Sequence, residues 1–297
     1  MIAAALLVTA SLFALGATMI ALFARRAPRA ADESDPWALY RSELLIVAAV
    51  LVPAALHPAV LVAVLAAAAA RWSWEVFLLY RSRLGMPALV LCLAAGTAAA
   101  LAGYLLGTTP LLIATAGVLA AAAWPAAAAL RGRAAAASPF AIALGFPLLC
   151  SAHVAALAGR ENAFAWIFLL FAAVEAQDAF AWLAGRLFGR TPILRRLSPR
   201  KTLEGALAGL AAGGATALLV ARAMLGLEWP LAGALAALLA AAGFAGDLFA
   251  SALKRAAGAK DFARVHPLHG GLLDIYDSFL FAAVPLNAAL WAAGVGR

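Results

Sequence analysis

Stretches of roughly twenty apolar residues follow one another along nearly the whole chain. Wound as a helix at about 1.5 Å per residue, such a stretch matches a hydrocarbon core of about 30 Å. Residues 2–24, 85–106, 111–130, 139–159, 162–184, 203–224, 230–253 and 272–295 each meet this requirement. Inside hydrocarbon every backbone N–H and C=O has to be satisfied within the segment, which selects helices. Composition closes off a water-soluble alternative. Of the 297 residues, 66% are hydrophobic and 12% charged, against about 45–50% and about 25% in soluble domains. The sequence predicts an all-α polytopic integral membrane protein.

Residues 44–70 are long enough for one tilted helix, but Pro53, His57 and Pro58 interrupt them. A proline removes a backbone donor and clashes with the preceding turn, so a hairpin of two short helices competes with one span. The expected count is about nine or ten transmembrane helices. Residues 2–24 read as a retained first helix rather than a leader, because no basic region precedes them and RRAPR follows. The chain divides into N-terminal transmembrane helices (1–160) and a C-terminal transmembrane region (161–297), where any catalytic function is expected, with loops at 185–202 and 254–271. Both loops are strongly basic, which predicts that they face the cytoplasm. Counting back places 71–83 and 131–133 on that side too, and 25–41 as well if 44–70 is a hairpin. Cys92 and Cys150, each within an apolar run, suggest neither disulfide nor thiolate chemistry.

The net charge of +8 fits inward-facing loops and a site for polyanions. Nucleic-acid binding is disfavoured by the apolar composition. The informative residues are carboxylates inside apolar runs, which are costly there and mark function or ion pairs. Glu175 and Asp178 lie in one run, Asp247 near the end of another, and Asp274 and Asp277 at the start of the last. The 175/178 and 274/277 pairs are three residues apart, so each shares a helix face. Hard oxygen donors at a membrane surface suit Mg²⁺, which fills its remaining positions with water and substrate phosphates. Interhelical salt bridges are the plainer alternative. Lys254, Arg255 and Lys260 are suited to phosphate, whereas Arg195, Arg196 and Arg264 read as ordinary loop charges. Gly270 and Gly271 before a helix allow N–H groups to approach an anion. His266 and His269, without a third nitrogen or sulfur ligand, argue against zinc.

These residues resemble the CTP:phosphatidate cytidylyltransferase, or CDP-diacylglycerol synthase, family. Its signature runs Ser-x-x-Lys-Arg, four residues, Lys-Asp, then His-Gly-Gly, two residues and Asp-Arg-x-Asp. Ser251, Lys254, Arg255, Lys260, Asp261, His269, Gly270, Gly271, Asp274 and Asp277 fall at those spacings. Upstream, DAFAWLAGRLFGR and SPRKTLEG resemble further family segments, so the likeness covers about 165–285. Four positions depart from the pattern. Leu268 stands for Gly, Ile275 for the Arg of Asp-Arg-x-Asp, Ala250 for a common Glu, and Arg200 for Lys.

The resemblance implies CMP transfer from CTP to phosphatidic acid, with release of pyrophosphate. Asp247, Asp274 and Asp277 are then expected to carry Mg²⁺ and allow a second metal ion, and Lys254 joins them as catalytic. Ser198, Arg200, Lys201, Ser251, Arg255, Lys260, His269, Gly270 and Gly271 are expected to bind substrate, with Asp178 and Asp261 in supporting places. CTP, phosphatidic acid and the bilayer are the implied partners. The resemblance allows a homodimer and gives no role to nucleic acid. The implied location is a bacterial inner membrane, active site inward. A transporter, a paralogue acting on another lipid phosphate and a catalytically silent paralogue are the competing readings.

Overall fold

The computed structural model describes residues 2–23, 36–80, 86–116, 139–194, 197–263 and 270–295. Among them the long helices are α1 (Ile2–Phe23), α2 (Pro36–Leu56), α3 (Pro58–Tyr80), α4 (Met86–Leu106), α5 (Pro139–Ala158), α6 (Ala163–Phe188), α7 (Leu203–Ala223), α8 (Trp229–Ala256) and α9 (Leu272–Ala292). Residues 108–116 are also helical. Two short strands, β1 (Pro192–Leu194) and β2 (Ser198–Thr202), form an antiparallel hairpin between α6 and α7. Among the described residues, six helices are long and apolar enough to cross a bilayer: α3, residues Leu89–Leu106 of α4, and α6 to α9. Large apolar side chains such as Leu45, Leu105 and Ile113 point outward at 73%, 76% and 70% exposure. That is how a chain presents itself when hydrocarbon is its solvent.

Residues 44–70 form a hairpin. Tyr276 on α9 hydrogen-bonds the carbonyl of Ile46 at 3.2 Å, and its ring lies 6.2 Å from that of Trp72. One straight helix would hold Ile46 and Trp72 about 39 Å apart. The chain reverses at His57, whose N–H closes α2 onto Pro53 O while its Nδ1 accepts the N–H of Ala59 at 3.2 Å to begin α3. Both helices are longer than the sequence suggested. Residues 71–80, outside the expected span of 44–70, are the last turns of α3, whose buried face includes Trp72, Glu75, Val76 and Tyr80. Likewise α6 continues to Phe188, beyond the expected end at 184. The expected span at 111–130 lies largely outside the described residues.

Glycine sets the tightest packing. On α7, Gly205, Gly209 and Gly213 follow a four-residue period on the buried face. A Cβ on each would fall 2.6 to 2.8 Å from the carbonyl oxygens of Ala181, Gln177 and Ala173 on α6. Small residues at this period let two membrane helices touch backbone to backbone. The same contact fixes the height of Asp178, which lies between Gln177 and Ala181. Gly246 brings α8 similarly close to Ser278 and Phe281 of α9. One hydrophobic core, continuous across residue 160, takes side chains from α1 through α9.

The bundle has two unlike ends. At the far end, the Arg160 guanidinium donates to Val295 O at 2.7 Å and to Thr108 Oγ1 at 2.9 Å, and Trp291 donates to Thr109 at 3.0 Å. At the near end, α6 and α8 finish, α7 and α9 begin, and the β-hairpin lies between them.

Candidate active site

Four carboxylates and two lysines meet at the near end. Asp178 comes from α6, Asp247 from α8, and Asp274 and Asp277 from the first two turns of α9. The spacing of 274 and 277 places them on one side of α9, as the sequence predicts. Lys201 on β2 pairs with Asp247, and its ammonium also sits over the Phe244 ring. Lys254, 9% exposed, pairs with Asp274 at 2.6 Å in the last turn of α8. Asp277, 6% exposed, has Asp247, Lys254, Asp178 and Asp274 as its charged neighbours. Its Oδ1 accepts the Ser278 N–H at 2.6 Å, and Ser278 also bonds Asp178. The expected Asp247, Lys254, Asp274 and Asp277 are therefore drawn together, with Asp178 and Lys201 beside them.

The Gly-Gly turn has a different use from the one its sequence suggests. Gly270 takes φ +87°, a left-handed conformation that favours glycine. A Cβ on Gly271 would lie 2.5 Å from Glu75 Oε2 and 2.8 Å from Phe262 Cβ. The N–H groups at this helix start are already occupied. Gly271 donates to Asp274 at 2.8 Å, and Leu272 and Leu273 donate to Glu75 at 2.8 and 2.9 Å. A helix N-terminus attracts negative charge, and here carboxylates of the protein itself hold that position. Asp274 also accepts the Phe262 N–H at 2.9 Å. Both of its oxygens are thus engaged, one by Lys254 and the other by backbone.

Glu75 is the residue that sequence reasoning missed. Its side chain is fully buried, flanked by Arg71 at 3.3 Å, and holds α9 from a helix nearly two hundred residues earlier. An acidic residue in the apolar run WSWEVFLLY is the available signal. Glu43 on α2 is the other omission. It shares a hydrogen bond with Glu175 and lies within electrostatic reach of Asp178.

Other expected residues sit at the rim. Arg255 is exposed and donates to Ala259 O at 2.7 Å, and Lys260 is exposed. Ser251 is buried on α8, and Ser198 and Asp261 are partly buried. Arg200 is exposed on β2, next in sequence to the inward-reaching Lys201. His269, with His266 and Leu268, lies outside the described residues. Ile275 packs against the hydrophobic core, so the position that is Arg in the resembled signature sends no charge into this site.

Among the described residues, no three His, Cys, Asp or Glu side chains close into a metal cage. The donors at hand, Asp178, Asp247 and Asp277, are nevertheless all hard oxygens, the set that Mg²⁺ takes.

Residues 39–293 match the Cytidylyltransferase family, which covers both the near-end carboxylates and Glu75. The chain belongs to that family. A phosphatidate cytidylyltransferase of Mycobacterium bovis is 40% identical over 144 residues, 48% of this chain and 46% of that protein. One from Helicobacter pylori is 41% identical over 125 residues, 42% and 47% of the two chains. A chloroplast phosphatidate cytidylyltransferase of Arabidopsis thaliana is 39% identical over 119 residues, 39% of this chain and 29% of its own. The matched stretch thus spans about half the length of the bacterial relatives or less. This member of the cytidylyltransferase family brings its acidic and basic side chains together at one end of an apolar bundle.

Proposed function

We propose that this chain is a phosphatidate cytidylyltransferase, which joins CTP and phosphatidic acid to give CDP-diacylglycerol and pyrophosphate. The observation that carries the reading is the convergence of Asp178, Asp247 and Asp277 with Lys201 and Lys254 at one end of the bundle. In the reaction a phosphatidate oxygen forms a bond to the α-phosphorus of CTP while the bond to the pyrophosphate oxygen breaks. The nucleophile is already an anion, so no side chain has to remove a proton. The protein has to bring two polyanions together and hold them in line.

Lys201 and Lys254 supply the positive charge nearest the reacting phosphates, Arg255 and Lys260 at the rim guide the nucleotide inward, and Arg200 is placed to receive a substrate phosphate. Asp247, Asp277 and Asp178 are the residues that would hold Mg²⁺. When bound, the metal neutralises phosphate charge and aligns attacking and leaving oxygens. Asp274 acts here by position: it orients Lys254 and ties the Phe262 segment to the start of α9. Ser198, Ser251, Gly270 and His269 belong to the substrate-binding set in this reading.

Orientation follows from charge. Of the described arginines and lysines, only Arg160 and Arg222 lie at the far end. The positive-inside bias then turns the near end to the cytoplasm of a bacterial inner membrane, where CTP is available. With residues 44–70 forming a hairpin, a count of nine or ten crossings stands as part of the proposal.

The test is purified protein with labelled CTP, Mg²⁺ and phosphatidic acid, scored for a CDP-lipid. Formation of the CDP-lipid, lost in Asp277→Asn, is the expected result. Failure to form it would leave a family member with another role. The core-packed Ile275 favours one alternative, a different lipid phosphate as acceptor, and the same assay run with several lipid phosphates separates the two.

A further inference from the structure

Among the described residues, a cavity of about 490 Å³ is lined by α1, α2, α6 and Arg200 of β2. On α6 its wall runs from Phe168 to Leu183, a rise of about 22 Å. That is most of the thickness of a bilayer's hydrocarbon core, which is about 30 Å. Its polar groups are gathered in one stretch of this length. Asp178 and, one turn deeper, the hydrogen-bonded Glu43 and Glu175 follow Arg200, with Phe180, Trp182 and Leu183 flanking them on the near side, while Phe171, Val47, Phe168 and Leu51 line the deeper part. A nucleotide has no apolar part to fill such a channel. A single hydrocarbon chain lying parallel to the helices does.

We propose that this groove is the seat of the lipid substrate's acyl chain, with the phosphate drawn to Arg200 at its mouth. The inference rests on the reading of the protein as a lipid-phosphate cytidylyltransferase and extends it to a place for the lipid. Two observations fix the occupant. Asp178 joins the groove to the charged cluster: it lines the groove and hydrogen-bonds Ser278 beside Asp277, so a head group held beside Asp178 lies next to the reacting residues. Arg200 offers a planar cation to a phosphate at the open end, and its neighbour Lys201 faces Asp247. The lipid therefore approaches from the α1–α2 side, and CTP meets it from the β-hairpin and α8.

Gly16 lines the groove, and a Cβ there meets only the Tyr40 ring, at 3.8 Å. Gly16→Leu therefore places its Cβ without moving backbone and fills the groove by four carbon groups. The expected result is a rise of about tenfold or more in the KM for dihexadecanoyl phosphatidate relative to dihexanoyl phosphatidate. An unchanged ratio would overturn the proposal. A second measurement does not depend on turnover. Phosphatidate carrying a photoreactive diazirine near the end of its acyl chain is incubated with the full chain in detergent, irradiated and mapped by mass spectrometry. Label concentrated at Phe168, Phe171 and Leu51, and competed by phosphatidate but not by phosphatidylcholine, supports the groove. Label spread over outward residues such as Leu105 and Ile113, or competed equally by both lipids, overturns it. Groove label without CDP-lipid formation would keep the lipid site and remove the transferase reading.

Discussion

Glu75 and Asp274 show how much of this site is held by groups that need touch no substrate. Glu75 satisfies two N–H groups at the start of α9, and hydrogen bonds to a charged acceptor contribute about 1.5–3 kcal/mol each. Glu75→Ala leaves both donors buried without a partner, so the expected result is a lower Tm in detergent and a severe loss of turnover. Glu75→Gln keeps one acceptor oxygen and should fall between. The two aspartates of α9 separate in the same experiment. Asp274→Asn breaks a buried ion pair, a change that costs about 3–5 kcal/mol where the partner stays charged, so both Tm and activity fall. Asp277→Asn preserves shape and loses the charge, so activity disappears while Tm stays near that of the parent. Equal Tm losses in the two variants would contradict this division of roles. The identity of the charged residues was legible in the sequence because carboxylates are conspicuous in apolar runs. Their partners were not: Glu75 finds Leu272 only through the fold, and so does Asp274 its lysine and two amides.

At the scale of elements, the α6–α7 contact sets the position of Asp178. Gly209→Leu places a side chain where a Cβ already stands 2.7 Å from Gln177 O. Overpacking of this kind costs about 1–3 kcal/mol and pushes α6 away from α7, shifting Asp178 relative to Asp247 and Asp277. Activity should therefore drop more steeply than Tm, and Gly233→Leu, where a Cβ meets open space, serves as the control with neither effect. The four-residue glycine period is plain in LEGALAGLAAGG, so this packing was readable, although the eye goes first to the charges nearby. The hairpin at 44–70 was only half readable. Prolines announce a break, but a kinked single helix breaks in the same way, and the decision comes from Tyr276 touching both arms. The β-hairpin at 192–202 had no apolar alternation to betray it; its register places Pro192 opposite Thr202 and Leu194 opposite Ser198.

For the whole molecule, charge and hydrogen bonding divide the two ends. Single cysteines in a chain with Cys92 and Cys150 replaced report which side faces out. With the near end cytoplasmic, a membrane-impermeant maleimide should label Ser198→Cys in inverted vesicles and Thr109→Cys in intact spheroplasts. The opposite pattern would reverse the proposed orientation. The joint at His57 bears on this division. One residue separates α2 from α3, which leaves the two arms no slack. Glu75 is eighteen residues beyond that joint, about 27 Å along the rod. Lengthening the joint by one residue would swing α3 about its axis and pull Glu75 off the amides of Leu272 and Leu273. A change made on the face of the membrane remote from any nucleotide would then silence chemistry on the other, and the joint behaves as the fulcrum of a lever.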